Sequence, residues 1–159
     1  MLVEVKVGAL IMDPNSNAPI VVLKGRESEA ILPIWVGAFE ANAIALEIEK
    51  VVPQRPMTHD LFRNLISETG HSVVRIIVSD LVENTFYAVI ELVSEAGDIL
   101  ALDARPSDAI ALALRTDCPI FVEQKVLDVS SATSDISSQD IEPPKPADDT
   151  TEEWPDLIG

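Results

Sequence analysis

DARPSDAIALALR, residues 103–115, is the stretch on which the fold turns. Pro106 has no N–H to lose in the first turn of a helix, and Asp108 there complements the positive end of the helix dipole. From Ala109 to Leu114 the segment is apolar all round, so a helix over about residues 106–116 has to be covered on most sides. Such a helix needs a sheet beneath it and further helices beside it.

The flanking sequence supplies both. Val3, Val5 and Val7 alternate with Glu4 and Lys6, which predicts a strand over 2–12. Asp13–Asn17 is turn chemistry, and strands follow at 19–24 and 30–36. Ala41, Ile44, Ala45 and Ile48 recur at helical spacing within a helix over 38–50. Two prolines keep residues 51–56 extended. A second helix is expected over 58–69, with Leu61, Phe62, Leu65 and Ile66 buried and Gly70 as its stop. Strands are expected at 72–80, 84–93, 99–102 and 119–123, with a short helix at 124–129. The fold class is α+β: a mixed or antiparallel sheet of about six to eight strands with three packed helices. One domain over 1–129 precedes a Ser-, Pro- and acid-rich stretch over 130–159, read as a disordered tail that ends in an apolar Trp154–Ile158 patch suited to docking on a partner.

The formal net charge is −16. From Ser131 onward five Asp and three Glu face one Lys, a net of −7, which leaves −9 on residues 1–130. An acidic surface repels a phosphate backbone, so nucleic-acid binding would rest on a local basic patch, with Arg55, Arg63, Arg105 and Arg115 as its candidates. Cys118 is the single cysteine, which excludes an intramolecular disulfide and a cysteine zinc site. The start has no signal-peptide pattern, and no apolar run is long enough to span a membrane, so a cytoplasmic protein is expected.

RPMTHD, residues 55–60, repeats the Arg-Pro, hydroxyl, Asp order of residues 105–108. Proline, Thr58 or Ser107, and Asp60 or Asp108 are explained as two well-started helices. Arg55, Arg105, His59 and Asp103 are in excess of what helix initiation requires. They form either an ion-pair lattice that locks two connectors or an anion site, since helix N-termini and arginine both favour phosphate. His59 as acid or base, with Asp60, Asp103, Asp108 and Glu40 able to hold a hard cation such as Mg²⁺ or Mn²⁺, makes phosphodiester hydrolysis chemically accessible. Nucleophile-elbow, Walker, dinucleotide and zinc-protease motifs are all missing.

LPIWVGAFEANAIALEIE (32–49), RPMTHDLF (55–62), DLVENTFYAVIEL (80–92), DARPSDAIALALR (103–115) and PIFVEQKVLD (119–128) resemble, in that order, the bifunctional nuclease domain family. The resemblance covers about residues 1–129. It implies an α+β domain, often a homodimer, that hydrolyses DNA and RNA. It also implies functional roles for Glu40, Arg55, Thr58, His59, Asp60, Asp103, Arg105, Ser107 and Asp108. Catalysis is expected of Glu40, His59, Asp60, Asp103 and Asp108, and substrate binding of Arg55, Thr58, Arg105 and Ser107. The chain departs from the family pattern in the close of the first helix, Glu47-Ile-Glu-Lys50, where a glycine is expected, and in its acidic tail. The alternative is a non-enzymatic homodimeric module, in which the Arg–Asp network is structural and the tail recruits a protein.

Overall fold

The computed structural model describes residues 1–137, with side chains to Thr133. The readings of 138–159 as a disordered tail and of Trp154–Ile158 as a docking patch lie outside the described residues. Seven strands, β1 (Leu2–Met12), β2 (Pro19–Gly25), β3 (Ile31–Trp35), β4 (His71–Val82), β5 (Thr85–Ser94), β6 (Ile99–Ala104) and β7 (Ile120–Glu123), form one sheet in the order β3-β2-β1-β7-β4-β5-β6. Neighbours are antiparallel except β4 and β7, so the sheet is mixed. Ile76 and Val78 pair with Ile120 and Val122, and all four are buried. Two-residue spacing puts them on one face, where they join Leu23, Leu32 and Ile90 in one core.

Four helices complete the domain: α1 (Ala38–Ile48), α2 (Thr58–Glu68), α3 (Pro106–Thr116) and α4 (Gln124–Ser137). As DARPSDAIALALR demands, α3 is the buried one. Ala109 to Ala113 are all buried, and the helix packs on β4, β5, α1 and α2. The fourth helix is the expected short one at 124–129, extended to Ser137. Val126 and Leu127 carry it into the core. Its last two turns occupy positions where the composition pointed to tail. No described helix is long and apolar enough to cross a membrane.

α2 is rotated relative to the expectation. Phe62 and Ile66 face inward, but Leu61 (61% exposed) and Leu65 (59%) face out. Asp60, on another side of the helix, is also buried, where it meets Arg115 of α3. The close of α1 is also resolved. Lys50 takes the left-handed backbone (φ 57°) that a glycine would occupy. Lys50 N–H then donates to Glu47 and Val51 N–H to Leu46, the pairing that satisfies terminal carbonyls.

Candidate functional site at the junction of three helix N-termini

Helices α1, α2 and α3 each begin with the same arrangement, an extended residue at the N-cap and an acid in the first turn. The N-caps are Gly37, Met57 and Arg105, and the acids are Glu40, Asp60 and Asp108. No side chain caps α3, so Ser107 does not fill the hydroxyl cap that the sequence suggested; it is buried. Thr58 lies one residue inside α2, exposed, and the backbone N–H of Met57 is instead taken by Asp60 Oδ2 at 3.0 Å.

The first turns converge. Phe39 and Glu40 of α1, Met57, Thr58 and His59 at the start of α2, and Arg105 and Asp108 at the start of α3 line one cavity of about 300 Å³. Each helix N-terminus carries roughly half a positive charge, so three first turns lining one space favour an anion there. A larger cavity of about 740 Å³ lies elsewhere, lined by Glu4, Glu27, Glu29 and Asp128 without a His or Arg. Its carboxylates repel phosphate, so the smaller cavity is the chemically equipped one.

Within the cavity the side chains form a chain of contacts. His59 Nε2 lies 2.8 Å from Asp108 Oδ1. Arg105 donates from Nε to Asp108 Oδ2 at 3.0 Å, and from Nη1 to Glu40 Oε1 at 3.0 Å. Burial pushes the Asp108 carboxyl up, but hydrogen bonds from Arg105 and His59 outweigh it and hold the group below its ordinary 3.8. Asp108 is therefore ionised at neutral pH and only accepts. In a neutral His59 imidazole the proton then resides on Nε2, leaving Nδ1 with the free lone pair. Glu40 reaches Arg105 by folding back over Gly37, where an added Cβ would collide with the carboxylate. Glycine at the start of α1 thus leaves room for the Glu40 carboxylate in its position against Arg105.

Asp60 and Arg115 lie beneath this layer. Arg115, 2% exposed, donates to Asp60 Oδ1 at 2.8 Å, to the Ala111 carbonyl at 2.9 Å and to the Ala43 carbonyl at 3.0 Å. One guanidinium therefore ties α1, α2 and α3 together. Burial is the largest influence on Asp60 and raises its carboxyl, yet the Met57 N–H and Arg115 together hold it below 3.8. Both Asp60 oxygens are engaged in this structural bond set, and Arg115, although it lines the floor of the cavity, has its guanidinium committed to Asp60 and two carbonyls instead of to a surface basic patch. The sequence carries a signal for this pair. An arginine closing a helix that is apolar all round needs a buried acid to hold it.

The remaining residues singled out from sequence are dispersed. Asp103 is exposed on the edge strand β6, opposite Val89, and does not line the cavity. Arg55 is exposed on the connector before α2 and also stands outside the lining. Ser107, at the second position of α3, lies outside it as well. The structure thus brings together Glu40, Thr58, His59, Arg105 and Asp108 and leaves Arg55, Asp60, Asp103 and Ser107 apart. Among the described residues no three His, Cys, Asp or Glu side chains are grouped so as to hold a metal ion.

The fold and the cavity together define an α+β domain with a His–Asp–Arg cluster where three helices begin. The chain belongs to the bifunctional nuclease domain family, whose model matches residues 21–135. An uncharacterized protein of Mycobacterium tuberculosis is 44% identical over 124 residues, covering 78% of this chain and 73% of that protein. Bifunctional nuclease 1 of Arabidopsis thaliana is 31% identical over 134 residues, covering 82% of this chain but 41% of the plant protein. Bifunctional nuclease 2 of rice, Oryza sativa subsp. japonica, is 29% identical over 115 residues, covering 70% and 35%.

Proposed function

We propose that the domain hydrolyses phosphodiester bonds in DNA and RNA at the three-helix cavity. The observation that carries this reading is the His59–Asp108 pair beside Arg105 in a space faced by three helix N-termini. Asp108 orients His59, and Nδ1 takes a proton from the attacking water. The water oxygen bonds to phosphorus, the bond to the leaving oxygen breaks, and that oxygen takes its proton from solvent. Arg105 is 64% exposed on its side chain, and its planar fork suits a phosphate. Thr58 at the rim adds a hydroxyl donor, and Arg55, exposed on the connector before α2, is a further candidate for a phosphate contact. Mg²⁺ or Mn²⁺ assistance, part of the same proposal, would fall to Glu40 and Asp108. Such ions are commonly held by one or two carboxylates together with substrate phosphates. Both carboxylates are bonded to Arg105 here, so the steps above use the chain's own groups alone. The reading also takes the protein as a cytoplasmic homodimer, with the outward Leu61 and Leu65 as surface for the second copy.

One observation favours a second reading, a binding module without catalysis. Every carboxylate of the cluster already has a basic partner, which is what a purely structural network would show. The test is cleavage of single-stranded DNA and RNA by highly purified protein in Mg²⁺, Mn²⁺ or EDTA. His59→Ala and Asp108→Asn, each shown by circular dichroism to be folded, are run alongside. Loss of cleavage by about a hundredfold or more in both supports the hydrolase. Undiminished cleavage in the folded variants, or none by the parent, leaves the binding module.

A further inference from the structure

Phe39 is 86% exposed, more than almost any other large apolar side chain among the described residues. It occupies the second position of α1, beside Glu40, and lines the same cavity as His59, Arg105 and Asp108. Met57, also exposed, lines that cavity with it. We propose that Phe39 is a stacking platform for an unpaired base and selects single-stranded nucleic acid at this site. The proposal rests on the cavity being where nucleic acid binds.

Two arguments carry it. The first is charge. At −16 the chain as a whole repels nucleic acid, and of the four candidate arginines Arg105 and Arg115 are already paired to carboxylates. Affinity then gains most from a contact that needs no net charge. Base–aromatic stacking is such a contact, and it accepts any base because every base has a π-face. A duplex keeps its bases stacked on one another, so only an unpaired nucleotide can lie on the ring. The second argument is location. Covering Phe39 with a second copy of the chain would also bury the neighbouring Arg105, Glu40 and Asp108, at a cost in desolvation. The exposed leucines of α2 offer a second copy an apolar surface outside the cavity lining.

The experiment measures fluorescence anisotropy of a labelled single-stranded adenine oligonucleotide, in EDTA on ice. The comparison probes are the same backbone with abasic sites and a blunt hairpin. The parent should bind the base-bearing strand about ten- to a hundredfold more tightly than either comparison probe. Phe39→Ala should remove that preference, and Phe39→Trp should keep it. Because the contact is uncharged, the preference should persist at high salt. Equal binding of base-bearing and abasic strands, an unchanged preference in Phe39→Ala, or no binding at all overturns the proposal. Sedimentation of Phe39→Ala adds a check. A shift to a smaller species with unchanged oligonucleotide affinity assigns the ring to a self-contact instead and also overturns it. Hydrolysis of bis(p-nitrophenyl) phosphate, which carries no nucleobase, separates the two readings. Base preference without His59-dependent hydrolysis sinks the nuclease and leaves the platform. His59-dependent hydrolysis without base preference does the reverse.

Discussion

Arg105 and Arg115 illustrate how one residue type takes two roles at the two ends of a helix of eleven residues. Arg105, at the start of α3, is largely solvated and holds two carboxylates that are themselves partly exposed. Its pairs contribute little to stability. Arg115, at the other end, is desolvated together with Asp60, and removing one partner leaves the other charged and buried. Arg115→Met is therefore expected to destabilise the domain by roughly 3–5 kcal/mol, read from urea unfolding. A loss under about 1 kcal/mol would show that water reaches Asp60. His59, next to Asp60 in the chain, owes its placement to this buried bond. The residue types at the site were legible in the sequence, because Arg-Pro, His and Asp exceeded what helix starts require. Which of them meet was not. Asp60 and Arg115 are 55 residues apart, and only the packing of α2 on α3 joins them.

The elements were legible for a different reason, since periodicity and turn chemistry are local. Apart from α4, which runs about two turns past its expected end, strands and helices fall within a few residues of the sequence expectation, and α3 is buried as its apolar run required. The face of α2 was not legible. Leu61 and Leu65 share a stripe as plausible as that of Phe62 and Ile66, and only the long-range packing of α2 decides between them. The C-terminus of α1 offers a test at this scale. Lys50 adopts the left-handed backbone that costs a side-chain-bearing residue energy and costs glycine none. Lys50→Gly is expected to raise stability by roughly 0.5–1 kcal/mol without changing activity, measured as a higher denaturation midpoint at unchanged slope. A lower midpoint would mean that the lysine side chain contributes more than its backbone costs.

For the molecule as a whole, acid sensitivity follows from depressed carboxyls; Asp13 is one, but it sits in an exposed turn, so Asp60 and Asp108 at the helix junction carry the effect. Asp60 and Asp108 titrate below 3.8 in the folded state, so their contribution is complete above that value and is lost as pH falls through the folded values. The urea midpoint should hold down to about pH 4 and then drop, with Asp60→Asn dropping less steeply over the same range. A parent midpoint that does not move down to about pH 3 would contradict this.

β7 has four residues, yet it pairs with β1 on one side and β4 on the other. Without it the sheet order leaves two separate triplets, β3-β2-β1 and β4-β5-β6. On the ribosome each triplet can zip up from its own hairpins as it emerges. They cannot be joined until Glu123 has cleared the exit tunnel. Until that moment β1 and β4 each present a bare backbone edge, which a neighbouring nascent chain could capture. The shortest strand therefore sets the time at which synthesis yields one domain instead of two sticky halves.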